Sequence, residues 1–509
     1  MEKNPDNNTQ DKEGKDKRVF FTLLTAIGLL ISFYLIPVAI FISFIPLFWV
    51  CYKSESAFRQ GAICGFIFSA GLLYWVLILE APVQYWLWLG VFLLIIYFSL
   101  IFGLTMWFTV KFVPFPLIPI IWTSIEFLRG LSPEIGFPWG SIGYALIPPL
   151  FPYKTISLGE LQFVQFAEFV GLHGITFFIL LINTLLFYCI KKRQLKYLIV
   201  AIVILFCAWM QGYFAQIKAS QSRGSKIIRV GIIQPNIAPE IKQAGNFDYR
   251  LNLLYRMSKS TGDCDLLVWP ESAIPGYFNF ENTETRVKSI VNSLNIPIVM
   301  GSSTLDLTVE PSRIYNSAFV VLPNNPVVGS HHKMYLVPFG ERLPFTETFP
   351  GLQKLEFGQS NFSQGKEFKV FDLQGSKFSI LICFESIFPR LSRRFVNYGT
   401  QFLVNITDDE WFGRSAAPYQ HAQQAVLRAI EYRIPIVRCG NTGISYFANP
   451  TGKVESATKI FTQAVITKRI QLRDRFTFYA KWGDWFAWLC VGILFLFFNL
   501  KLIRPKVKA

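Results

Sequence analysis

Residues 378–386 read Phe378-Ser379-Ile380-Leu381-Ile382-Cys383-Phe384-Glu385-Ser386. The apolar run that ends in a cysteine and an acid predicts a buried strand. A helix is expected to begin soon after, within Ser386-Ile387-Phe388-Pro389. A strand-to-helix turn exposes the side chain at its tip and aims backbone N–H groups at one point. That arrangement serves a nucleophile and its oxyanion hole. A cysteine is effective only as the thiolate, so Cys383 needs a base or a cation nearby.

Working outward, two more segments supply such groups. Leu266-Leu267-Val268-Trp269-Pro270-Glu271 is a second buried strand ending in a carboxylate. Lys333 follows Val328-Gly329-Ser330-His331-His332 and precedes Met334-Tyr335-Leu336-Val337-Pro338-Phe339-Gly340-Glu341. Strand ends along one edge of an α/β sheet are where sites of this kind assemble. Further strands are expected at 227–234, 296–301, 314–322, 327–332, 401–406, 435–439 and 445–448. Helices are expected at 247–260, 283–294, 387–398 and 416–432. Interleaved strands and helices over about 250 residues predict a layered α/β domain. No internal repeat, phosphate-binding loop or dinucleotide fingerprint is visible. His331 and His332 are adjacent on a strand and so point to opposite faces; they cannot both serve one site. His421, on the last helix beside Gln420, reads as a structural hydrogen bonder.

The chain has 509 residues, 52% hydrophobic, with formal net charge +16. The apolar excess lies in the first 215 residues and the last 25, which marks a membrane protein. Val19–Tyr52 carries no charge. At 1.5 Å per residue it is long enough for two short spans, broken at Pro37. Further spans are expected at 57–80, 86–110, 114–129, 162–190, 197–215 and 484–500, about eight in all. The expected division is a disordered cytoplasmic tail at 1–18, a seven-helix transmembrane region at 19–215, an extracytoplasmic domain at 223–473, a C-terminal transmembrane helix at 484–500 and a cytoplasmic tail at 501–509. Lys53, Arg59, Lys111, Lys191, Lys192, Arg193 and Lys196 fall in the connections this topology places inside, as the positive-inside rule requires. Topology and anionic lipid therefore explain the basic charge, and nucleic acid is not expected as a partner. Cys264, Cys383 and Cys439 are the cysteines of the α/β domain; no Cys-x-x-Cys and no zinc spacing occurs, and a disulfide framework is not expected.

The order Trp-Pro-Glu, then Lys with Pro-Phe-Gly-Glu, then Cys-aromatic-Glu resembles the nitrilase (carbon–nitrogen hydrolase) superfamily, whose fold is an αββα sandwich. With the flanking spans, residues 19–500 look like its apolipoprotein N-acyltransferase branch. Gln234-Pro235-Asn236, Trp411-Phe412-Gly413, Arg428-Ala429-Ile430-Glu431 and Asn441-Thr442-Gly443 also fit, as do Phe137-Pro138-Trp139 and Gly143-Tyr144. The resemblance implies Glu271 as general base, Lys333 as oxyanion holder and Cys383 as nucleophile. Glu341, Phe384 and Glu385 would support them. Asn236, Trp139, Tyr144, Phe345, Phe349 and Trp411 are candidate substrate contacts. The implied reaction moves an acyl chain from a phospholipid, phosphatidylethanolamine being typical, to the α-amine of a diacylglyceryl-cysteine apolipoprotein through a thioester. The implied setting is the bacterial inner membrane, with the catalytic domain on the periplasmic side of a monomer. The chain departs from the usual pattern at Gln243, at Asp408-Asp409-Glu410, at Arg414 and at Phe384, where tyrosine is commoner.

Two other readings compete. A membrane-tethered amidase or nitrilase-type hydrolase would use the same three residues, with water resolving the acyl-enzyme. A transporter or non-catalytic scaffold would need broken helices and intramembrane charges in paired repeats, and the sequence offers few charges there and no evident repeat.

Overall fold

The computed structural model describes residues 5–79, 84–132, 134–151, 159–221, 226–243, 246–324, 327–349, 351–352, 360–473 and 476–503. The strands among them are β1 (Ile227–Gln234), β2 (Leu266–Val268), β3 (Ile298–Asp306), β4 (Arg313–Val321), β5 (Val327–His332), β6 (Phe371–Leu373), β7 (Ser376–Ile382), β8 (Phe402–Thr407), β9 (Ile436–Gly440), β10 (Tyr446–Ala448), β11 (Val454–Glu455) and β12 (Ala464–Gln471). They form two sheets of six, ordered β12-β1-β2-β3-β4-β5 and β11-β10-β9-β8-β7-β6. Each has a parallel centre, β1-β2-β3 in one and β7-β8-β9 in the other, flanked by antiparallel strands.

The period-two alternation of β7 explains how the layers stack. Phe378, Ile380 and Ile382 point to a core shared with Val230, Ile232, Val268 and Val299 of the first sheet. Leu381 points the other way, into a cluster with Leu391, Phe395, Val426 and Leu427. Those residues belong to the helices Pro389–Asn397 and Ala417–Tyr432. On the far side of the first sheet, Leu251, Leu254, Val287 and Val291 cover Ile233, Leu267, Ile298 and Met300. The result is helix, sheet, sheet, helix, the sandwich expected. A one-residue slip of β7 would turn Phe378, Ile380 and Ile382 out of the core, each fully buried apolar side chain contributing roughly 1.5–3 kcal/mol. Strands β6, β11 and β12 were not foreseen. β12 carries Lys468 and Arg469 on an edge, so its apolar pattern is weak.

Five helices are long and apolar enough to cross a membrane: Asp16–Tyr34, Ala57–Ile78, Tyr85–Phe112, Ala167–Lys192 and Leu195–Ala219. The other three expected spans are present as shorter apolar helices, so the figure of eight full-length spans is not met among the described residues. Pro37–Cys51 is broken into a 3-10 turn and two short helices, with Pro37 and Pro46 at the breaks. Ile118–Arg129 has 12 residues, about 18 Å of helix against about 30 Å of hydrocarbon. Trp485–Lys501 is the third. The first helix starts at Pro5, so residues 5–18 continue it where disorder was expected.

The catalytic-side helix Ala417–Tyr432 is buried along its length between the second sheet and the membrane helices. Polar bonds pin this seam. Gln423 donates to the carbonyls of Tyr144 and Ile147. Gly171 breaks the Ala167–Lys192 helix with φ +65°, and the next N–H, of Leu172, donates to Glu431 at 3.0 Å. Arg433 bonds Glu168 at 3.0 Å and Gln165.

Candidate active site

Three strand ends from two sheets converge. β2 runs through Trp269-Pro270 to Glu271, β5 ends one residue before Lys333, and β7 ends one residue before Cys383. Gly301 on β3 lets the Glu271 segment come close, because a Cβ there would meet Glu271 Cα at 2.6 Å. Lys333 is 1% and Glu271 6% exposed, so both charges sit out of water. Lys333 Nζ lies 2.8 Å from Glu341 Oε1 and 3.5 Å from Glu271 Oε1. Asn316 Nδ2 donates to the same two oxygens, at 2.8 Å to Glu271 and 3.0 Å to Glu341. The remaining carboxylate oxygens accept backbone N–H groups, Asp408 to Glu271 at 2.9 Å and Val337 to Glu341 at 2.8 Å. Every lone pair that fixes Glu271 is therefore held by a positioned donor.

Cys383 has φ +52°. Left-handed backbone costs a non-glycine residue about 1–2 kcal/mol, and it persists only where surrounding bonds over-determine it. Here the Cys383 carbonyl accepts from Ser386 Oγ at 3.0 Å and from His421 Nε2 at 3.1 Å. Burial pushes the Cys383 thiol up, the Glu271 charge pushes it further, and Lys333 pulls it back. Burial likewise raises Glu271, with Lys333 opposing and Glu341 adding. Lys333 would be lowered by burial, but Glu341 and Glu271 outweigh this and raise it. The lysine therefore stays an ammonium, while burial leaves the thiol and the Glu271 carboxylate both more basic than they would be in water. A resting thiol beside a carboxylate of raised basicity can pass that proton when an electrophile arrives.

Glu385 is fully buried and clamps the two halves. It accepts the N–H of Met334 at 2.6 Å and Tyr335 at 3.3 Å through one oxygen, and Ile382 at 2.8 Å through the other, which also meets His331 Nε2 at 3.2 Å. It thus ties the segment after Lys333 to the residue before Cys383. Phe384 lies against Phe388 at 5.0 Å and stacks on Phe137 at 6.4 Å, a residue of the membrane region. Trp139 and Tyr144 are buried in the seam. Trp139 donates to Gln420 at 2.8 Å, and Tyr144 donates to the carbonyl of Ile387 at 3.2 Å. Asn236 is half-buried, and its N–H donates to the Asn441 carbonyl at 3.1 Å. Phe345, Phe349 and Trp411 are exposed, at 39%, 61% and 67%. The Phe345 N–H donates to Glu134 of the membrane region. His331 faces Glu385, whereas His332 turns to Ser317 at 2.7 Å.

Sequence reasoning missed Asn316, and behind Cys383 it found only His421, as a structural hydrogen bonder, without its partners. Asp409 bonds His421 Nδ1 at 2.8 Å, Arg438 at 2.8 Å and Thr407 at 2.9 Å. Arg438 also donates to Asn405, and Asn405 Nδ2 donates to the Leu381 carbonyl at 3.0 Å. The available signal was polarity inside apolar strands: Asn405 within Leu403-Val404-Asn405-Ile406, and Arg438 within Ile436-Val437-Arg438-Cys439. A buried charge demands a partner. Cys383, Asp409 and His421 place ligand-type atoms within 4.8 Å of one another. Arg438 already neutralises Asp409, so a metal ion there would have to displace a guanidinium.

Two family models match the chain. Residues 25–185 match the apolipoprotein N-acyltransferase N-terminal domain, and residues 229–475 match carbon-nitrogen hydrolase. An apolipoprotein N-acyltransferase of Geobacter metallireducens is 34% identical over 478 residues, covering 89% of this chain and 88% of the relative. One from Chlorobaculum tepidum is 30% identical over 423 residues, covering 76% and 77%. Among solved structures, a nitrilase-superfamily protein of Saccharomyces cerevisiae aligns with TM-score 0.40 and 17% identity, covering 56% of this chain and 97% of that one.

Proposed function

We propose how the reaction runs from one premise: the chain belongs to the apolipoprotein N-acyltransferase family. It is a membrane acyltransferase of lipoprotein maturation. In our reading, Glu271 takes the Cys383 proton as the sulfur attacks the sn-1 ester carbonyl of a phospholipid, phosphatidylethanolamine being the expected donor. Lys333 Nζ and a backbone N–H at Phe384 hold the oxyanion. The C–O bond breaks, Glu271 returns the proton to the departing lysophospholipid oxygen, and the acyl chain remains on Cys383 as a thioester. The α-amine of a diacylglyceryl-cysteine then attacks, losing a proton to Glu271. The C–S bond breaks, an amide forms, and the proton restores the thiol. No metal or other cofactor takes part in these steps.

The observation that carries this reading is the buried Glu271–Lys333 pair at 3.5 Å, whose two charges both act on the thiol at a left-handed turn. Both substrates carry acyl chains, which cost about 0.8 kcal/mol per CH₂ to bring into water. A site facing the bilayer avoids that cost. The segment 343–352, with Phe345 and Phe349 exposed, supplies an apolar arm to lie on the lipid. The charge pattern of the connecting loops puts the catalytic domain outside the cytoplasm, on the periplasmic face of an inner membrane, and the chain acts as a monomer.

The test is intact-mass spectrometry of the purified protein after incubation with phosphatidylethanolamine. One acyl mass should appear on Cys383 and disappear on adding a diacylated lipopeptide, which gains it. Loss of the acyl mass to water at the same rate without lipopeptide would mark a hydrolase. No acyl mass on Cys383 under turnover would remove the thioester.

A further inference from the structure

Gln420 and His421 are consecutive on the Ala417–Tyr432 helix, and they face two different parts of the molecule. Gln420 Oε1 accepts the indole N–H of Trp75 at 3.1 Å and of Trp139 at 2.8 Å. Its Nε2 donates to Tyr34 Oη at 3.0 Å and to the Leu72 carbonyl at 3.4 Å. All four partners belong to the membrane region, and they use the whole bonding capacity of a buried carboxamide. His421 faces the nucleophile. Its Nε2 lies 3.1 Å from the Cys383 carbonyl oxygen and 3.3 Å from Ser386 Oγ, and its Nδ1 lies 2.8 Å from Asp409. Arg438 and Thr407 hold Asp409 in turn.

Cysteine, histidine and aspartate so close together suggest a triad in which imidazole takes the thiol proton. The bonds argue otherwise. Nε2 donates to the carbonyl oxygen of Cys383, not to its sulfur, so Nδ1 of the neutral ring is an acceptor and faces the Arg438 N–H at 3.0 Å, with Asp409 beside it. We propose that His421 is a positioning residue: it fixes the strained backbone of Cys383, and the membrane helices set its register through Gln420. A second tether meets the other end of the same turn. Tyr144 donates to the Ile387 carbonyl at 3.2 Å. The turn carrying Tyr144 is held by Glu126, which accepts the Ile142 N–H at 3.0 Å and the Thr176 hydroxyl at 2.6 Å. The elbow from Cys383 to Ile387 is therefore gripped at both ends by residues that answer to the membrane region. Spans and nucleophile form one mechanical unit, and the spans contribute to catalysis as well as to anchoring.

This inference rests on Cys383 being the nucleophile. Its test uses the full-length protein in phosphatidylethanolamine nanodiscs, with lysophospholipid release and the pH profile of Cys383 alkylation by iodoacetamide as readouts. His421→Phe keeps the ring and loses the donor. It should lower kcat about 10-fold or more while KM for phospholipid stays within about 2-fold, and it should displace the alkylation profile. His421→Gln, whose amide nitrogen reaches the place of Nε2 and returns an N–H to the carbonyl, should recover most of the loss. Trp139→Phe removes one indole N–H from Gln420 and should lower kcat about 3-fold, again without moving KM. Wild-type kcat in His421→Phe, or a loss that His421→Gln does not relieve, overturns the positioning role. If His421→Phe fails to fold, Trp139→Phe decides: wild-type kcat and an unmoved alkylation profile overturn the link to the spans. Cys383→Ala separates the two layers. Activity in that variant defeats the nucleophile assignment itself, whereas an inactive Cys383→Ala beside a fully active His421→Phe defeats only the present inference.

Discussion

Glu385→Gln is the substitution that most directly probes how the site is held together. Glu385 touches no solvent, so it can affect catalysis only through the backbone it organises. As a carboxylate it accepts Met334 and Tyr335 N–H on one oxygen, and Ile382 N–H together with His331 Nε2 on the other. A carboxamide has one accepting oxygen. If its NH₂ replaces the first oxygen, two N–H groups are orphaned. If it replaces the second, His331 can turn acceptor by changing tautomer, and only the Ile382 N–H is stranded. The cheaper arrangement leaves one buried donor unsatisfied, which costs about 1–3 kcal/mol. Were all of that to fall on the arrangement in which Lys333 faces Cys383, kcat would drop about 5- to 150-fold. The assay is steady-state lysophospholipid release in detergent micelles, with thermal unfolding followed in parallel. The expected outcome is a lower kcat, an unchanged KM and a modest fall in unfolding temperature. Wild-type kcat with wild-type stability would refute the clamp. A raised KM with kcat intact would mean that the carboxylate meets substrate.

Other outcomes follow from the same geometry. Lys333→Met removes the ammonium between Glu271 and Glu341, which share Asn316; acyl-enzyme formation should fall at least about 100-fold, read as the burst of lysophospholipid. Because burial raises Glu271, and a general base must be ionised, activity is lost as pH falls through that raised value. The acid limb of kcat/KM should therefore lie above the ordinary carboxylate value of 4.5. Asn316→Leu deletes a donor that holds Glu271 down, so the limb should move to still higher pH, and a limb that stays put would contradict the assignment. Phe345→Ser with Phe349→Ser should raise KM for vesicle phospholipid several-fold and leave the rate of thiol alkylation at Cys383 unchanged.

The apolar runs Ile380–Ile382 and Leu266–Val268, interleaved with helical patterns, made a layered α/β domain legible, because each strand is buried on both faces, and the αββα sandwich followed from the family resemblance. Glu271 and Cys383 stand out for a related reason, each ending such a run, whereas Lys333 follows Val328-Gly329-Ser330-His331-His332 and stands out only in company with the other two and through the family resemblance. Glu385 was named as an orienter of Lys333, Glu271 or the incoming amine, and its actual partners are backbone groups of Met334, Tyr335 and Ile382. Nothing in one dimension reveals which backbone a buried carboxylate will grip. Asn316, Asn405 and Arg438 were passed over because polar residues in strands are usually solvated, and only the packing of β4, β8 and β9 between the layers closes water out; His421 reads as a structural hydrogen bonder, and its partners Asp409 and Cys383 came only with the fold. The short spans had another cause. Hydropathy counts apolar residues, but Pro37, Pro46 and Pro119 decide how many of them continue one helix.

One cluster of packed side chains runs from Leu381 and Leu403 in the second sheet, through Ala422, Val426 and Ile430, to Leu172 and Ile175 of the bundle. A protease cut that parted the two halves would leave that helix layer with a bare greasy flank, so the enzymatic half has no stable life as a shed fragment. The same joint constrains chimeras. An exchange of anchors between relatives can succeed only if the indoles that meet Gln420 travel with their glutamine, and heredity must treat the two halves as a single article.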